Sequence, residues 1–403
     1  MDKNSNVPEI RFKGFDAEWK QRKLGDLYTE RNECGNDSLQ FLSVTIHSGV
    51  SDGELDSDQN GKNVRRSEDK SMYKHVYSGD LVFNMMRAWQ GAIGVARSEG
   101  MISPAYISAI PNAEVYPPFM NYLMRRKESI NQINTLSYGL TDFRKRLYWD
   151  SFVKVSCQLP IVSEQKQITD LFEQLDNLIA FQKRKVERLK NAKKAMLTKL
   201  FPKEGERVPE VRFKGFTGNW EQRKLGDCFE ERTERRQSET DELLSVTMSD
   251  GVVRQSHSDR KNIASADTSN YKMVYEGDLA YNSMRMWQGA EGASEYYGIV
   301  SPAYTVVKPF AEIKSEFFAR LFKRDDILRI FRGYSQGLTS DTWNLKFPAF
   351  SKINVFVPTV DEQIAIMSMF KSIDTLITLH QRKVEKLIDC KKAFLNKMFG
   401  GES

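Results

Sequence analysis

Two segments of this sequence occur twice, about 200 residues apart. Residues 7–26 return as residues 208–227 with five differences in 20 positions, and residues 73–94 return as residues 271–292 with seven differences in 22 positions. A period of this length is too long for a solenoid repeat and long enough for a whole folding unit. The chain is therefore predicted to contain two related halves, each with its own core, in a pseudo-symmetric arrangement.

The composition excludes several classes of protein. With 403 residues and a formal net charge of +6, the chain is mildly basic, which permits a polyanionic partner without requiring one. Its four cysteines have no CxxC spacing, which argues against a disulfide framework and a zinc ribbon. No apolar stretch approaches the roughly 20 residues that span a bilayer. These features predict a soluble protein of a reducing cytoplasm.

Each half has the same predicted plan of a short lead, a mixed domain and a long helix, which indicates an α+β fold. The predicted boundaries are 1–20 for the N-terminal lead, 21–160 for the first domain, 161–201 for the first long helix, 202–221 for a linker with the repeated lead, 222–358 for the second domain and 359–403 for the second long helix.

Short strands and helices are predicted inside the two domains from β-branched, aromatic and turn residues. In the first half the predicted strands are 41–46, 80–84, 92–96, 102–110 and 152–159, and the predicted helix is 118–130. In the second half the predicted strands are 243–248, 278–282, 299–307 and 352–357, and the predicted helix is 315–331.

The two long helices have apolar residues at heptad spacing, which is typical of a coiled-coil seam. The predicted helix-pairing positions are Ile168, Leu175, Gln182 and Leu189 in the first helix and Ile366, Ile373, His380 and Leu387 in the second, with Leu178 and Leu376 among the apolar residues beside the seam. A two-fold relation between the halves makes the helices antiparallel. The polar Gln182 and His380 would then meet near the middle, unless both lie at a solvated edge.

Repeated motifs mark the two leads and both ends of each long helix. They are WKQRKLGD at 19–26 and WEQRKLGD at 220–227, EQKQI at 164–168 and EQIAI at 362–366, and KKAMLTKLF at 193–201 and KKAFLNKMF at 391–399. In this order, and over nearly the whole chain, the pattern resembles the specificity subunit of Type I restriction-modification enzymes.

This resemblance implies two target recognition domains that each bind one half of a split sequence in double-stranded DNA. It also implies that the helices between them bind two methyltransferase subunits, and that restriction subunits join the full complex. By the same resemblance the chain is not an enzyme; S-adenosylmethionine, ATP and Mg²⁺ belong to its partner subunits. A helix over 163–200 would be about 57 Å long, or on the order of 15 base pairs of duplex.

The sequence shows no motif for chemistry of its own. A glycine-rich cofactor loop, an adenine-methylation motif and a phosphate-binding loop are missing, and Asn84 and Asn282 lack the Pro-Pro-aromatic continuation that orients a flipped base. The four histidines do not cluster at metal-ligand spacing. Two alternatives stay open: a self-contained DNA methyltransferase or nuclease with unrecognised motifs, and a coiled-coil adaptor that binds no DNA.

Residues shared by the halves are candidates for contacts to phosphate or to a common base, because identical residues cannot distinguish two half-sites. The repeated MRAWQG and MRMWQG segments supply Arg87, Gln90, Arg285 and Gln288. Their tryptophans, Trp89 and Trp287, are expected to anchor the core. Tyr106 and Tyr304 could stack on bases or donate a hydroxyl, or pack in the core.

Residues that differ between the halves should determine sequence choice. Basic loops provide the candidates Lys62, Arg65, Arg66, Arg254, Arg260 and Lys261, although a solvated loop explains them as well. The segments around a repeated Gly-Leu-Thr provide the candidates Ser137, Tyr138, Thr141, Arg144, Lys145, Ser335, Gln336, Thr339, Thr342 and Trp343.

Overall fold

The protein mixes helices with antiparallel sheets, which confirms the predicted α+β class. The computed structural model describes residues 7–36, 38–46, 49–51, 72–141, 144–238, 240–257 and 267–399. Within these residues no helix has the length and apolar character needed to cross a membrane.

The described elements of the first half are β1 (Lys20–Lys23), α1 (Leu24–Leu27), β2 (Tyr28–Arg31), β3 (Ser43–Thr45), β4 (Gly49–Ser51), β5 (Lys74–Val76), β6 (Leu81–Asn84), β7 (Ile93–Val95), β8 (Gly100–Ile102), β9 (Tyr106–Pro111), α2 (Pro117–Leu123), α3 (Lys127–Leu136), α4 (Trp149–Phe152), β10 (Ser156–Leu159) and α5 (Val162–Lys199). Those of the second half are β11 (Glu221–Lys224), β12 (Phe229–Glu231), β13 (Leu244–Thr247), β14 (Gly251–Arg254), β15 (Lys272–Val274), β16 (Leu279–Asn282), β17 (Glu291–Ala293), β18 (Gly298–Val300), β19 (Tyr304–Pro309), α6 (Ser315–Leu321), α7 (Asp325–Tyr334), α8 (Phe347–Phe350), β20 (Asn354–Val357) and α9 (Val360–Phe399).

The chain forms two compact units, and each long helix is divided between them. The first unit comprises Met1–Gln182 and Lys383–Ser403, and the second comprises Lys183–Arg382. Each unit therefore contains one mixed domain, the first part of the helix that follows it, and the last part of the helix that follows the other domain.

Both units have the same sheet topology. A four-stranded antiparallel sheet has the order β2-β9-β6-β7 in the first unit and β12-β19-β16-β17 in the second. The inner strand β6 is apolar from Leu81 to Phe83 because both of its faces are covered. Leu81 and Phe83 point into the main core, and Val82 points into a smaller core on the other face. Leu279, Tyr281 and Ala280 alternate in the same way in β16.

The repeated lead is joined to both the domain and the long helices. In the first unit, β1 pairs antiparallel with β10, and Arg11 forms a bidentate ion pair of 2.7 and 2.8 Å with the buried Glu164 at the start of α5. The Ile10 amide donates to the carbonyl of Lys397, near the end of α9. The second unit repeats this arrangement with Arg212, Glu362 and the pair Val211–Lys199.

The glutamine of each EQ motif links the start of its helix to the domain. The Gln165 side chain donates to the carbonyls of Glu114 and Pro160, both at 2.8 Å, and accepts the Tyr116 amide. Gln363 makes the equivalent three contacts. A glutamine is suited to this position because one carboxamide supplies two donors and an acceptor.

The single helices predicted over 118–130 and 315–331 were wrong, since each is two helices, α2–α3 and α6–α7. The chain turns at Arg126 and Arg324, which both have extended backbone angles. Arg126 donates to the carbonyl of Phe399, and Arg324 donates to the carbonyls of Leu197 and Pro202. Cations are favourable at a helix C-terminus, so a long-range contact coincides with each break.

Two predicted strands were also too long in each half. The segment 102–110 divides into β8 and β9, and 299–307 divides into β18 and β19, because a turn forms at the repeated Ser-Pro-Ala. The segment 152–159 is a strand only from Ser156, since Phe152 ends α4. Its counterpart 352–357 is a strand only from Asn354.

Within each unit the two long-helix segments contact each other in antiparallel directions. In the first unit Phe172 of α5 lies 5.9 Å from Phe399 between ring centroids, while Asp176, one turn later, pairs with the earlier Lys391 at 2.5 Å. In the second unit Asp374 pairs with Lys193, and Ile366 packs in the same core as Leu200.

The predicted pairing positions differ in how deeply they are buried. Ile168, Leu175 and Ile366 are buried, whereas Gln182, Leu189, Ile373, His380 and Leu387 are half-buried. Leu178 and Leu376, expected beside the seam, are instead exposed, because heptad spacing alone does not show which edge of a helix its partner covers. The meeting of Gln182 with His380 stays a prediction.

A phenylalanine at the end of α9, and one two residues beyond the end of α5, each complete the core of a unit. Phe399 packs against Trp19 and Phe119, with ring centroids 6.1 and 5.2 Å away. Phe201 packs in the same way against Trp220 and Phe317, at 6.0 and 5.3 Å. All these rings are buried, so each domain depends on a phenylalanine delivered by the helix of the other half.

One buried charge distinguishes the second unit from the first. Glu291 of β17 is fully buried where the first unit has Ile93, and burial raises the pKa of this carboxyl to about 7, although Lys323 Nζ at 3.3 Å opposes the shift. Lys323 also donates to the carbonyls of Gly289 and Met248. A buried carboxylate with one partner destabilises the folded state once it ionises.

We expect Phe399→Ala to lower the free energy of unfolding of the first unit by about 3–5 kcal/mol, since it leaves a cavity between aromatic rings. Hydrogen exchange followed by mass spectrometry should show faster exchange in β6 and α2 but not in residues 183–382. Phe201→Ala should speed exchange in the second unit but not in the first. Phe310→Ala, which removes an exposed ring, should leave the exchange rates of both units unchanged. Destabilisation of both units by either core variant would contradict this assignment.

We expect Glu291→Gln to stabilise the protein in a pH-dependent way. The folded pKa of Glu291 is raised, so the wild-type protein loses stability as the pH rises from about 4.5 through about 7. The gain in the variant should be near zero at pH 4.5 and reach about 3 kcal/mol above pH 7. Urea unfolding at a series of pH values measures it. A gain that does not vary with pH would argue against a buried titrating carboxyl.

Candidate nucleic-acid interface

An exposed turn follows the central strand of each sheet. In the first unit the Asn84 side-chain oxygen accepts the Met86 amide at 3.0 Å, and the Trp89 indole nitrogen donates to the Met86 carbonyl at 2.9 Å. Gly91 ends the turn with φ of 106°, a left-handed conformation that suits glycine. The turn is thus held from inside, and Arg87 and Gln90 are exposed to solvent.

The second unit builds the same turn from equivalent residues. Asn282 accepts the Met284 amide at 3.0 Å, and Trp287 donates to the Met284 carbonyl at 3.1 Å. Arg285 and Gln288 are exposed. Both tryptophans are half-buried and use their indole N–H within the turn, which leaves ring surface rather than a donor for other contacts.

A hairpin containing the repeated Gly-Leu-Thr lies beside each turn. In the first unit Tyr138 and Arg146 exchange two backbone hydrogen bonds of 3.0 Å. The next residue, the buried Leu147, donates its amide to the carbonyl of Met85 at 2.9 Å, which joins the hairpin to the turn. Gln336 and Asn344 pair in the same way in the second unit, and Leu345 bonds the carbonyl of Ser283.

Different aromatic and cationic contacts support the two hairpins. In the first unit Lys145 Nζ lies 5.9 Å from the centre of the Trp89 ring and donates to Asn134 at 2.6 Å. In the second unit Trp343 replaces the lysine, and its ring lies edge-on to Trp287 at 5.2 Å. The Arg332 guanidinium lies 4.8 Å from the centre of the Trp343 ring.

Turn and hairpin together form one surface in each unit, which we call the turn-hairpin face. It comprises Met86, Arg87, Gln90, Tyr138, Leu140 and Lys145 in the first unit and Met284, Arg285, Gln288, Gln336, Leu338 and Trp343 in the second. Guanidinium and carboxamide groups suit phosphate and base edges, and aromatic rings suit base stacking. Among the described residues, no three or more His, Cys, Asp or Glu side chains are grouped to hold a metal ion.

Several other candidates are engaged in local structure. The hydroxyls of Ser137 and Ser335 donate to helix carbonyls at 2.6 and 2.7 Å. The Thr342 hydroxyl donates to the Thr339 carbonyl at 3.0 Å, within an exposed turn. Tyr106 and Tyr304 are half-buried and pack against the smaller core of their unit. Burial raises the pKa of Tyr106.

The remaining candidates fall into three groups. Thr141 and Arg144 are exposed near the tip of the first hairpin. Arg254 is exposed, pairs with Glu242 at 3.3 Å and lies 5.0 Å from the centre of the Tyr296 ring. The loop residues outside the described part of the chain are Lys62, Arg65, Arg66, Arg260 and Lys261. A DNA contact by any of these candidates stays a prediction.

Four apolar residues of the face were missed by the sequence reasoning. Met86 and Met284 are exposed beside the shared arginines, and Leu140 and Leu338 are exposed at the hairpin tips. The sequence did contain a signal for them, because the same residue type stands at equivalent positions of the two halves. Each methionine precedes the glycine that ends its turn by five residues, and each leucine directly follows the glycine of the repeated Gly-Leu-Thr.

Comparison with known proteins gives similar sequences along the whole chain. The putative type I restriction enzyme MjaX specificity subunit of Methanocaldococcus jannaschii is 23% identical over 427 residues, covering 99% of this chain and 97% of the relative. The MjaVIII specificity subunit of the same organism is 34% identical over 85 residues, which is 21% of this chain and 19% of the relative. No protein-family model matches the sequence.

Solved structures share the fold. The HsdS subunit of Thermoanaerobacter tengcongensis matches with a TM-score of 0.51 at 15% identity, covering 96% of this chain and 97% of that one. The S subunit of a type I restriction-modification system of M. genitalium matches with a TM-score of 0.55 at 14% identity, covering 98% and 100%. The resemblance predicted from the motifs is therefore confirmed: this chain is similar to type I restriction specificity subunits in sequence over nearly its whole length and in fold.

Proposed function

We propose that this chain is the DNA sequence-specificity subunit of a Type I restriction-modification complex. Each turn-hairpin face binds one half of a bipartite, asymmetric target in double-stranded DNA. The observation that supports this most strongly is the presence of the same exposed face, on the same scaffold, in two units with partly different residues. Two equivalent faces suit a target in two parts.

The face separates shared from divergent residues in a way that fits this function. Arg87 and Arg285 occupy the same position and suit contacts to phosphate or to a guanine common to both half-sites. Lys145 and Trp343 occupy equivalent positions with different chemistry. A cation and an aromatic ring recognise different partners, so the hairpins would select different bases.

The long helices would set the distance between the two half-sites. In this proposal α5 and α9 form one continuous antiparallel coiled coil with pseudo-two-fold symmetry, and the predicted domain boundaries define the two recognition domains. The antiparallel contacts inside each unit support it. A helix of 38 residues is about 57 Å long, which corresponds to on the order of 15 base pairs.

Partner subunits would supply the chemistry. Two methyltransferase subunits would dock on the long helices, where Leu178 and Phe181 in the first unit and Leu376 and Leu379 in the second are exposed. Restriction subunits would join the full complex in the cytoplasm, and S-adenosylmethionine, ATP and Mg²⁺ would bind to the partners. A self-contained methyltransferase or nuclease is the weaker candidate; binding of S-adenosylmethionine by the isolated chain would favour it.

We expect an exchange of residues 142–148 for those of another specificity subunit, with Leu147 kept, to change only one half of the recognised sequence. The hairpin belongs to one unit, so the other unit keeps its own contacts. The measurement is single-molecule mapping of methylated adenines in DNA treated with the assembled methyltransferase complex. The matched exchange of 340–346, with Leu345 kept, should change the other half. A change in both halves, or in neither, would refute this division of labour.

A further inference from the structure

The hairpin tips present the two most exposed large apolar side chains of the described chain. Leu140 is 90% exposed and Leu338 is fully exposed, at equivalent positions. A single exposed leucine is ordinary, but each of these forgoes the roughly 1.5–3 kcal/mol that burial of such a side chain contributes. Both halves keep the leucine within an identical Gly-Leu-Thr, whereas the residues after this triplet differ, which indicates a role outside the folded core.

The tips are held in place by the chain beneath them. The two-way backbone pairing of Tyr138 with Arg146 and of Gln336 with Asn344 closes each hairpin. The preceding glycine passes so close to the returning strand that a side chain would overlap it; at Gly337 a Cβ atom would lie 2.6 Å from the carbonyl oxygen of Thr342. Each leucine therefore projects from a constrained base rather than from a loose loop.

The surroundings of each tip suit nucleic acid better than a protein partner. The residues near Leu140 are Gly139, Thr141 and the exposed Arg144. Those near Leu338 are Gly337, Thr339 and the exposed Asp341, so the cations of the second face, Arg285 and Arg332, lie outside the tip. The exposed leucine and methionine of each face form too small an apolar patch for the buried centre of a protein interface. Cations and aromatic rings on the same face are compatible with phosphates and bases.

We propose that Leu140 and Leu338 act as wedges: each enters between neighbouring base pairs of its half-site and partly unstacks one base step. Leucine is among the side chains that DNA-bending proteins insert in this way, and the energy of unstacking is offset by additional protein–DNA contacts. The inference rests on the proposed function, since it assigns these residues to the same two faces. It adds a requirement for a deformable step in each half-site.

The test uses the assembled methyltransferase complex and duplexes with the fluorescent base 2-aminopurine placed in turn at each position of one half-site. Unstacking raises its fluorescence. Methyltransferases also unstack their target base by flipping it, so the methylated adenine is left unlabelled. We expect wild type to raise fluorescence at one further step in each half-site. Leu140→Ala should abolish the rise in one half only and lower DNA affinity about tenfold, and Leu338→Ala should do the same in the other half. Fluorescence is compared at protein concentrations that saturate the DNA, so that weaker binding by a variant does not lower the signal. Fluorescence anisotropy confirms that the DNA is fully bound.

Matched variants separate wedge action from folding. Leu140→Met and Leu338→Met keep an apolar wedge and should keep the fluorescence rise, and Ile161→Ala, at another exposed apolar side chain, should change nothing. Wild-type protein that binds and directs methylation of its target without any fluorescence rise would overturn the wedge alone. Alanine variants that keep both the rise and the affinity would do the same. A complex with no sequence-specific DNA binding would overturn the proposed function and the wedge together.

Discussion

The structure depends on one exchange between the two halves of the sequence. The C-terminal end of α9 completes the core of the first unit, and the chain at the C-terminal end of α5 completes the core of the second. Phe399 closes the aromatic cluster around Trp19, and Phe201 closes the equivalent cluster around Trp220. The leads strengthen this closure, because each bonds the start of one long helix and the end of the other. Neither domain core is complete within its own half of the sequence, because each contains a phenylalanine from the other half.

The same closed core supports the candidate interface. Strand β6 is packed on both faces, and its end leads directly into the turn with Arg87 and Gln90. The buried Leu147 joins the hairpin to this turn through one backbone hydrogen bond. Because the supports are buried and repeated in the second unit, the exposed positions between them can differ without disturbing the fold. This separation of scaffold from surface suits the proposed specificity subunit, whose contacts must differ between the two half-sites.

Equivalent positions perform the same structural task with different chemistry. Asp176 accepts a hydrogen bond from the Tyr122 hydroxyl, whereas Asp374 accepts one from the Arg320 guanidinium, and each also pairs with a lysine of the facing helix segment. The link between domain and helices is thus kept while one member changes. Glu291 is different, since a buried carboxyl replaces an apolar Ile93 and introduces a pH dependence that the first unit lacks at this position.

The sequence alone determined the α+β class, the duplication, both long helices and the segments that form the turn-hairpin face, because these follow from local periodicity and from direct repetition. Only the tertiary structure decided where helices break, which side of each long helix is covered and which apolar residues remain exposed. The breaks at Arg126 and Arg324 coincide with contacts to helix ends distant in sequence, and Leu140 looks like a core residue until its hairpin is placed. Long-range contacts leave no periodic signal in the segments that make them.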